Sequence, residues 1–306
     1  MAERNKKLYG LIGYPVKHSF SAAMHNAAFS HLGINAEYKL FEVKPEKLED
    51  FLLNRKDLEG FNITIPHKIK TKEILTKINP IEINDNVQTN LQDAILTGAV
   101  NTVKKAEDKL DYYNTDAGGF IQSLENDLQF KLGSGHKNVL LFGCGGAGRA
   151  VIAGLSWKQH NVHKIFVFDK SEKQLAETKN HFKNLPGIWP KIMQEKIEFI
   201  VEKEIAEKIK EVQLLVNASP VGMKEENDFL IDKNLLHKNL SVYDVVYNRE
   251  TQLVKDAKQK GLKATGGLGM LLYQGVIAFE IWIEKEAPID IMRKALEKEL
   301  AKCRKA

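Results

Sequence analysis

Only two cysteines, Cys144 and Cys303, occur in 306 residues, and they form no C-x-x-C pair. That excludes a disulfide framework and makes a reducing compartment the expectation. With 21 glycines and 8 prolines, neither clustered into repeats, collagen-like and mucin-like readings fall away. The excess of one charge sign is small, 45 Lys and Arg against 40 Asp and Glu. Combined with 43% hydrophobic residues, it excludes disorder as the main state. Basic and acidic residues alternate in segments such as Glu195 to Glu211, as on a solvated surface. No stripe of arginine interleaved with aromatics occurs, so no nucleic-acid partner is expected. A run of membrane length is lacking too: Leu268 to Ile283 contains Gln274 and Glu280 and reads as a buried helix. The segment Met1 to Lys7 is polar and the apolar run after it stops at Gly13, so no secretory signal is expected and the location expected is cytoplasmic.

What is present is an alternation of short apolar runs with segments of helical spacing, the mark of an α/β protein with parallel sheets. One strand series comprises Leu8–Ile12, Glu37–Val43, Gly60–Ile65, Ala99–Val103 and Asp111–Tyr113; a second comprises Val139–Phe142, Lys164–Phe168, Leu214–Val216 and Val242–Val246. Between the two series lies Leu132-Gly-Ser-Gly-His136, glycine-rich and polar, with a hinge helix expected before it at about Gly119 to Phe130. Two domains follow, as the length suggests.

Asn138-Val-Leu-Leu-Phe-Gly-Cys-Gly-Gly-Ala-Gly-Arg-Ala150 carries G-x-G-x-x-G at Gly143, Gly145 and Gly148, directly after a strand and opening a helix. The first glycine makes a tight turn, the second admits a pyrophosphate to backbone N–H groups, and the third lets helix and strand approach. The next strand ends in Asp169, at the distance a dinucleotide fingerprint expects. A carboxylate there accepts from ribose hydroxyls and repels a 2′-phosphate, which favours NAD, although Lys170 beside it offsets part of the repulsion. Cys144 in the loop reads as a small packing residue, or as a thiol activated by the helix N-terminus.

Four strand ends in the first half carry small polar residues: Gly13 to Ser21, Phe61 to Lys68, Ala99 to Thr102 and Tyr113 to Asp116. Ligands of open α/β sheets bind beyond strand carboxyl ends, and Ser, Thr and Asn suit a polyhydroxylated substrate. Each also has a purely local reading, Ser19, Ser21 and Asp116 as helix caps and Asn101 as a turn residue. Reduction of a carbonyl needs a proton donor, and Lys68 can serve, coupled to Asp116. His18, His25 and His67 have no carboxylate or thiol at metal-ligand spacing, so no metal is expected.

These motifs, in this order and nearly end to end, resemble the shikimate dehydrogenase family, including its quinate/shikimate dehydrogenase branch. His18-Ser-Phe-Ser21 with His25-Asn26 looks like the family's substrate-carboxylate motif, and Asn62-Ile-Thr-Ile-Pro-His-Lys68 like its catalytic-lysine motif. Asn217 to Met223 and Asp244 to Tyr247 look like strand ends facing the nicotinamide, and Gly267 to Gln274 like the helix that returns to the first domain. The resemblance implies a substrate domain over 1–118, mixed or parallel α/β and completed by helices within 268–306, and a Rossmann domain over 119–267. It implies Lys68 and Asp116 as the catalytic pair. It places Ser19 and Ser21 on a substrate carboxylate, and Asn62, Thr64, Asn101, Tyr247 and Gln274 around the ring. Cofactor contacts fall to Gly143, Gly145, Gly146, Ala147, Gly148, Asp169, Lys170, Ser219, Met223, Val245 and Gly267. The implied reaction is the reversible reduction of 3-dehydroshikimate to shikimate with NADP or NAD. The alternatives are NAD-dependent quinate/shikimate oxidation and a non-catalytic metabolite sensor, as monomer or homodimer. Two positions depart from the family: Ala22 where proline is frequent, and Asp169-Lys-Ser171 where NADP-dependent members commonly read Asn-Arg-Thr.

Overall fold

The computed structural model describes residues 6–80, 89–107 and 109–303; the first five residues of the polar N-terminal segment and the Cys303 side chain lie outside the described residues. The chain divides into two compact units, one of Met1–Gly119 with Leu272–Ala306 and one of Phe120–Leu271.

The first unit is built on β1 (Lys7–Gly13), α1 (Ser21–His31), β2 (Ala36–Glu42), α2 (Leu48–Asn54), β3 (Leu58–Ile63), α3 (Lys68–Ile78), α4 (Thr89–Thr97), β4 (Thr102–Ala106) and β5 (Lys109–Tyr113). Its sheet runs β2-β1-β3-β4-β5. β1 is parallel to β2 and β3, whereas β3–β4 and β4–β5 are antiparallel, so the sheet is mixed. The connection from β4 to β5 is too short for a crossover and must form a hairpin. Ile12, Phe61, Ile63, Leu75, Val100 and Val103 fill the core against this sheet.

The second unit contains β6 (Lys137–Phe142), α6 (Gly146–Ser156), β7 (Val162–Phe168), α7 (Glu172–Lys183), α8 (Trp189–Lys196), β8 (Ile197–Phe199), α9 (Ile205–Lys208), β9 (Leu214–Asn217), β10 (Ser241–Asp244), α10 (Gln252–Gln259) and β11 (Ala264–Thr265). Its strands are parallel, in the order β8-β7-β6-β9-β10-β11. Counted within the unit, that is the doubly wound order 3-2-1-4-5-6, which reverses between β6 and β9. Val139, Leu140, Leu141, Val216 and Val242 are buried, which explains why these strands read as unbroken apolar runs.

Two helices belong to both units along their length: α5 (Asp116–Asn126) and α11 (Leu268–Ile283), the latter followed by α12 (Ile289–Cys303). Trp282 of α11 donates to the Val103 carbonyl at 2.9 Å and lies 5.3 Å from the Tyr9 ring, while Phe279 packs on Phe29 of α1. Gly60 makes room for Trp282, since a Cβ there would come within 2.5 Å of its Nε1.

Three local readings shift. The strand expected at Ala99–Val103 begins at Thr102, because the preceding backbone is engaged elsewhere: Thr97 Oγ1 donates to the Ala99 carbonyl and the Val100 N–H to the Lys68 carbonyl. The hinge helix expected over Gly119–Phe130 starts at Asp116, where the Asn114 side chain accepts the Asp116 N–H, and ends at Asn126. Helix α4 and the two-residue β11 have no counterpart in the sequence reading.

Candidate active site

Topology alone gathers the polar segments of the first unit. β1, β3 and β5 share one direction, so their carboxyl ends lie at one edge of the sheet, where antiparallel β4 begins. Ser19 and Ser21 follow β1, Thr64 to Lys68 follow β3, Asn101 precedes β4, and Asp116 follows β5.

Lys68 opens α3 and Asp116 opens α5; Lys68 Nζ donates to Asp116 Oδ2 at 2.5 Å. Both side chains are mostly buried yet reach solvent, at 24% and 12% exposure. The other Asp116 oxygen accepts from Asn101 Nδ2 at 2.8 Å. Asn101 is fixed in turn, its Oδ1 accepting the Thr115 N–H at 2.8 Å and the Thr102 hydroxyl at 3.0 Å. Beneath it Asn62 is buried, donating to the Asn101 carbonyl and Thr102 Oγ1 and accepting from the Tyr38 hydroxyl at 2.8 Å. Asn62 was read as a substrate contact; the bonds it makes here support Asn101 and thereby Asp116. This inner layer of Tyr38, Thr102 and Thr115 was not read from the sequence. Only the tertiary contacts reveal it.

Ser19 Oγ accepts the Ser21 N–H at 3.3 Å and donates to Ser21 Oγ at 3.2 Å, but Phe20 is the N-cap of α1 and no side chain caps that helix, so neither serine is the cap that the local reading expected. The Thr64 methyl is turned onto Gly13, leaving its hydroxyl directed elsewhere. Gln274 lies on α11 against Gly119. His67 is buried with Nε2 2.6 Å from the Val43 carbonyl oxygen. His25 is buried within a stack against Tyr38 at 4.5 Å, neither ring nitrogen has a hydrogen-bond partner among the described residues, and burial pushes its pKa down to about 3.

In the second unit the phosphate loop follows β6. Gly143 has φ +88°, and a Cβ there would meet the Ser219 nitrogen at 2.7 Å; one on Gly148 would meet the Gly143 carbonyl oxygen at 2.1 Å. Gly145 and Gly146 face open space. A side chain at Gly143 or Gly148 would break the turn, and the open face at the start of α6 suits a phosphate. These residues fit a dinucleotide. Asp169 Oδ2 accepts the Cys144 N–H and Oδ1 the Ser171 N–H, both at 2.9 Å, so its carboxylate is tied to the loop and to the start of α7. Lys170 is exposed. Cys144 is fully buried and burial pushes its thiol up to about 11, in line with the packing reading. Arg149 was missed: it is buried, bonds Thr178 Oγ1 through Nε, and Thr178 bonds the Cys144 carbonyl, bracing the loop from below. Ser219, Val245 and Tyr247 follow the carboxyl ends of β9 and β10, and burial raises the Tyr247 pKa. Met223 is half exposed, and Gly267 packs directly on the Val245 carbonyl.

A Rossmann unit with its phosphate loop intact, in one chain with an α/β unit that pairs a lysine and a carboxylate at its sheet edge, defines a dinucleotide-dependent oxidoreductase architecture. The comparisons with known proteins narrow it. Residues 11–103 match the shikimate dehydrogenase substrate binding domain, and residues 267–297 the shikimate 5'-dehydrogenase C-terminal domain. The chain is 37% identical over 298 residues to shikimate dehydrogenase (NADP(+)) of Methanopyrus kandleri, covering 96% of each. Shikimate 5-dehydrogenase of Listeria monocytogenes, solved with shikimate and NAD, is 30% identical with a TM-score of 0.80, over 97% of this chain and 99% of that one. Quinate dehydrogenase of Corynebacterium glutamicum, solved with NAD, is 28% identical with a TM-score of 0.79, over 96% and 99%. The chain belongs to the shikimate dehydrogenase family.

Proposed function

We propose that this chain is a shikimate dehydrogenase, an oxidoreductase that reversibly reduces 3-dehydroshikimate to shikimate with NADPH or NADH. The observation that carries the reading is the Lys68–Asp116 pair, placed at the strand ends of the unit that matches the family's substrate-binding domain. In this reading the first unit, with its C-terminal helices, binds substrate and the second binds the dinucleotide.

The reduced nicotinamide supplies the hydride to the ring carbonyl carbon. Lys68 Nζ supplies a proton to the oxygen as negative charge develops there, and Asp116 orients the amine. Asn101 holds Asp116 in the rotamer that faces Lys68. Ser19 and Ser21 bind the substrate carboxylate, and Thr64, Tyr247 and Gln274 contact ring hydroxyls. Gly143, Gly145, Gly146, Ala147 and Gly148 cradle the pyrophosphate, while Ser219, Met223, Val245 and Gly267 bound the nicotinamide end.

A second reading, NAD-dependent oxidation of quinate as well as shikimate, is favoured by Asp169. A carboxylate accepts from a ribose and repels a 2′-phosphate. The test is the absorbance of reduced nicotinamide with shikimate and with quinate, each with NADP and NAD. Turnover of shikimate supports the first reading, and turnover of quinate with NAD adds the second. Binding of shikimate without any nicotinamide reduction would show a sensor instead.

A further inference from the structure

Asp244 ends β10 and is fully buried, yet neither reading of the chemistry uses it. Three donors from three segments converge on its carboxylate. Oδ1 accepts from Asn217 Nδ2 and from the Val246 N–H, each at 3.0 Å; Oδ2 accepts from the Thr251 hydroxyl at 2.8 Å, at the N-cap of α10.

Asn217 spends its remaining atoms on one turn. Its Nδ2 donates to the Val221 carbonyl at 2.9 Å, and its Oδ1 accepts the Ser219 N–H at 3.0 Å and the Ser219 hydroxyl at 2.6 Å. That turn lies hard against the phosphate loop, for a Cβ on Gly143 would meet the Ser219 nitrogen at 2.7 Å and the Ala218 carbonyl carbon at 2.8 Å. The Val246 bond fixes the turn after β10. There the Gly267 N–H donates to the Val246 carbonyl at 3.0 Å, and a Cβ on Gly267 would meet the Val245 carbonyl oxygen at 2.0 Å.

We infer that Asp244 is a positioning residue for dinucleotide binding: its carboxylate, acting through Asn217 and the Val246 N–H, holds in place the two strand-end turns beside the phosphate loop. The inference rests on the dinucleotide reading of the second unit and deepens it.

The charge state of Asp244 gives the proposal its distinctive readout. Burial raises the carboxyl pKa to about 6, against the bonds from Val246, Thr251 and Asn217, which lower it. Asp228 adds repulsion from the segment before β10, where Arg249 pairs with it at 2.6 Å; Tyr243 neighbours on the same strand, with Asp127 acting on that tyrosine. Above that value the carboxylate accepts all three bonds. A proton on Oδ2 can be met by the Thr251 hydroxyl turned to accept it, so the contacts survive, but the bonds from Asn217, Val246 and Thr251 lose the assistance of the negative charge.

The experiment is a fluorescence titration of NADPH and of NADH into wild type and Asp244→Asn between pH 5 and pH 8, with circular dichroism as the folding control. The quantity read is the ratio of the variant's Kd to the wild-type Kd at each pH, in which the ligand's own ionisation cancels. The expected ratio is roughly three- to tenfold at pH 8, the worth of the charge assistance that Asn cannot supply, falling to about one at pH 5. A ratio of one throughout, or a raised ratio that does not change with pH, overturns the inference. If Asp244→Asn does not fold, Thr251→Ala and Thr251→Ser replace it. Weaker binding for Ala with recovery by Ser supports the role, and equal affinities for both overturn it. If wild type binds neither dinucleotide, the reading of the second unit fails, and this inference with it.

Discussion

Lys68 Nζ and Asp116 Oδ2 stand 2.5 Å apart although 48 positions separate them in the chain. Each is the first residue of its helix, and the two helices begin beyond the ends of β3 and β5, the strands on either side of β4 in one sheet. Neither side chain owes its place to local sequence. The pairing follows from the antiparallel turn-back through β4, which returns β5 to the direction of β3.

Replacing Lys68 by Ala should lower turnover by roughly 10²- to 10⁴-fold, the range for a general acid or base. The lysine is partly exposed, so the far-UV circular dichroism should be unchanged. Asp116→Asn should lose activity in the same direction, since it keeps a partner for Asn101 but removes the charge. Near-normal turnover in the lysine variant would defeat the catalytic assignment.

Asp169→Asn should raise kcat/KM with NADP relative to NAD by roughly tenfold, as removal of one like charge near a 2′-phosphate predicts. Steady-state rates with both cofactors measure it. An unchanged ratio would mean that Asp169, with its oxygens on Cys144 and Ser171, serves only the loop.

His25 should make the fold acid-sensitive. Burial holds its native pKa at about 3, below the ordinary imidazole value of 6.5, so between these values the unfolded chain binds a proton that the native state refuses. Stability from this group is complete above pH 6.5 and falls as the pH drops towards 3, by on the order of 2–3 kcal/mol at pH 4.5. Asp244 works in the opposite sense between 3.8 and about 6, because its native pKa is raised. The comparison to make is therefore His25→Phe against wild type in urea unfolding at pH 7.5 and 4.5. The variant should lose less stability on acidification, and parallel losses would exclude the histidine as the cause.

Gly119→Ala should lower the melting temperature. A Cβ there would lie 2.6 Å from the Gln274 backbone nitrogen and 2.9 Å from its Cα, and backbone cannot move aside as a side chain can. Overpacking of about 1–3 kcal/mol exceeds the gain of under about 1 kcal/mol from the better helix former. A rise in melting temperature would show that α5 and α11 separate freely at this contact.

How much was readable in advance depended on range. The phosphate loop was legible because its glycines, its strand and its acidic residue lie within about thirty positions of one another, and their constraints are local. The buried strands of the second unit were legible as apolar runs. The start of β4 was not, since Ala99 and Val100 are as apolar as a strand while their backbone bonds go to Thr97 and Lys68. Asn62 was assigned to the ligand from its motif, but what it bonds depends on Tyr38 and Asn101, which no spacing reveals.

The amino-acid order by itself determined the alternation of strand and helix and the polar residue types that stand at the strand ends, because propensity, periodicity and turn residues act over a few positions. Tertiary structure alone decided which strands run antiparallel, and so which ends meet. It also decided which polar groups are buried beneath the Lys68–Asp116 pair and which carboxylate, Asp244, is fully buried. Those outcomes depend on contacts between residues far apart in the chain, where burial and convergent donors, rather than local preference, set the free energy.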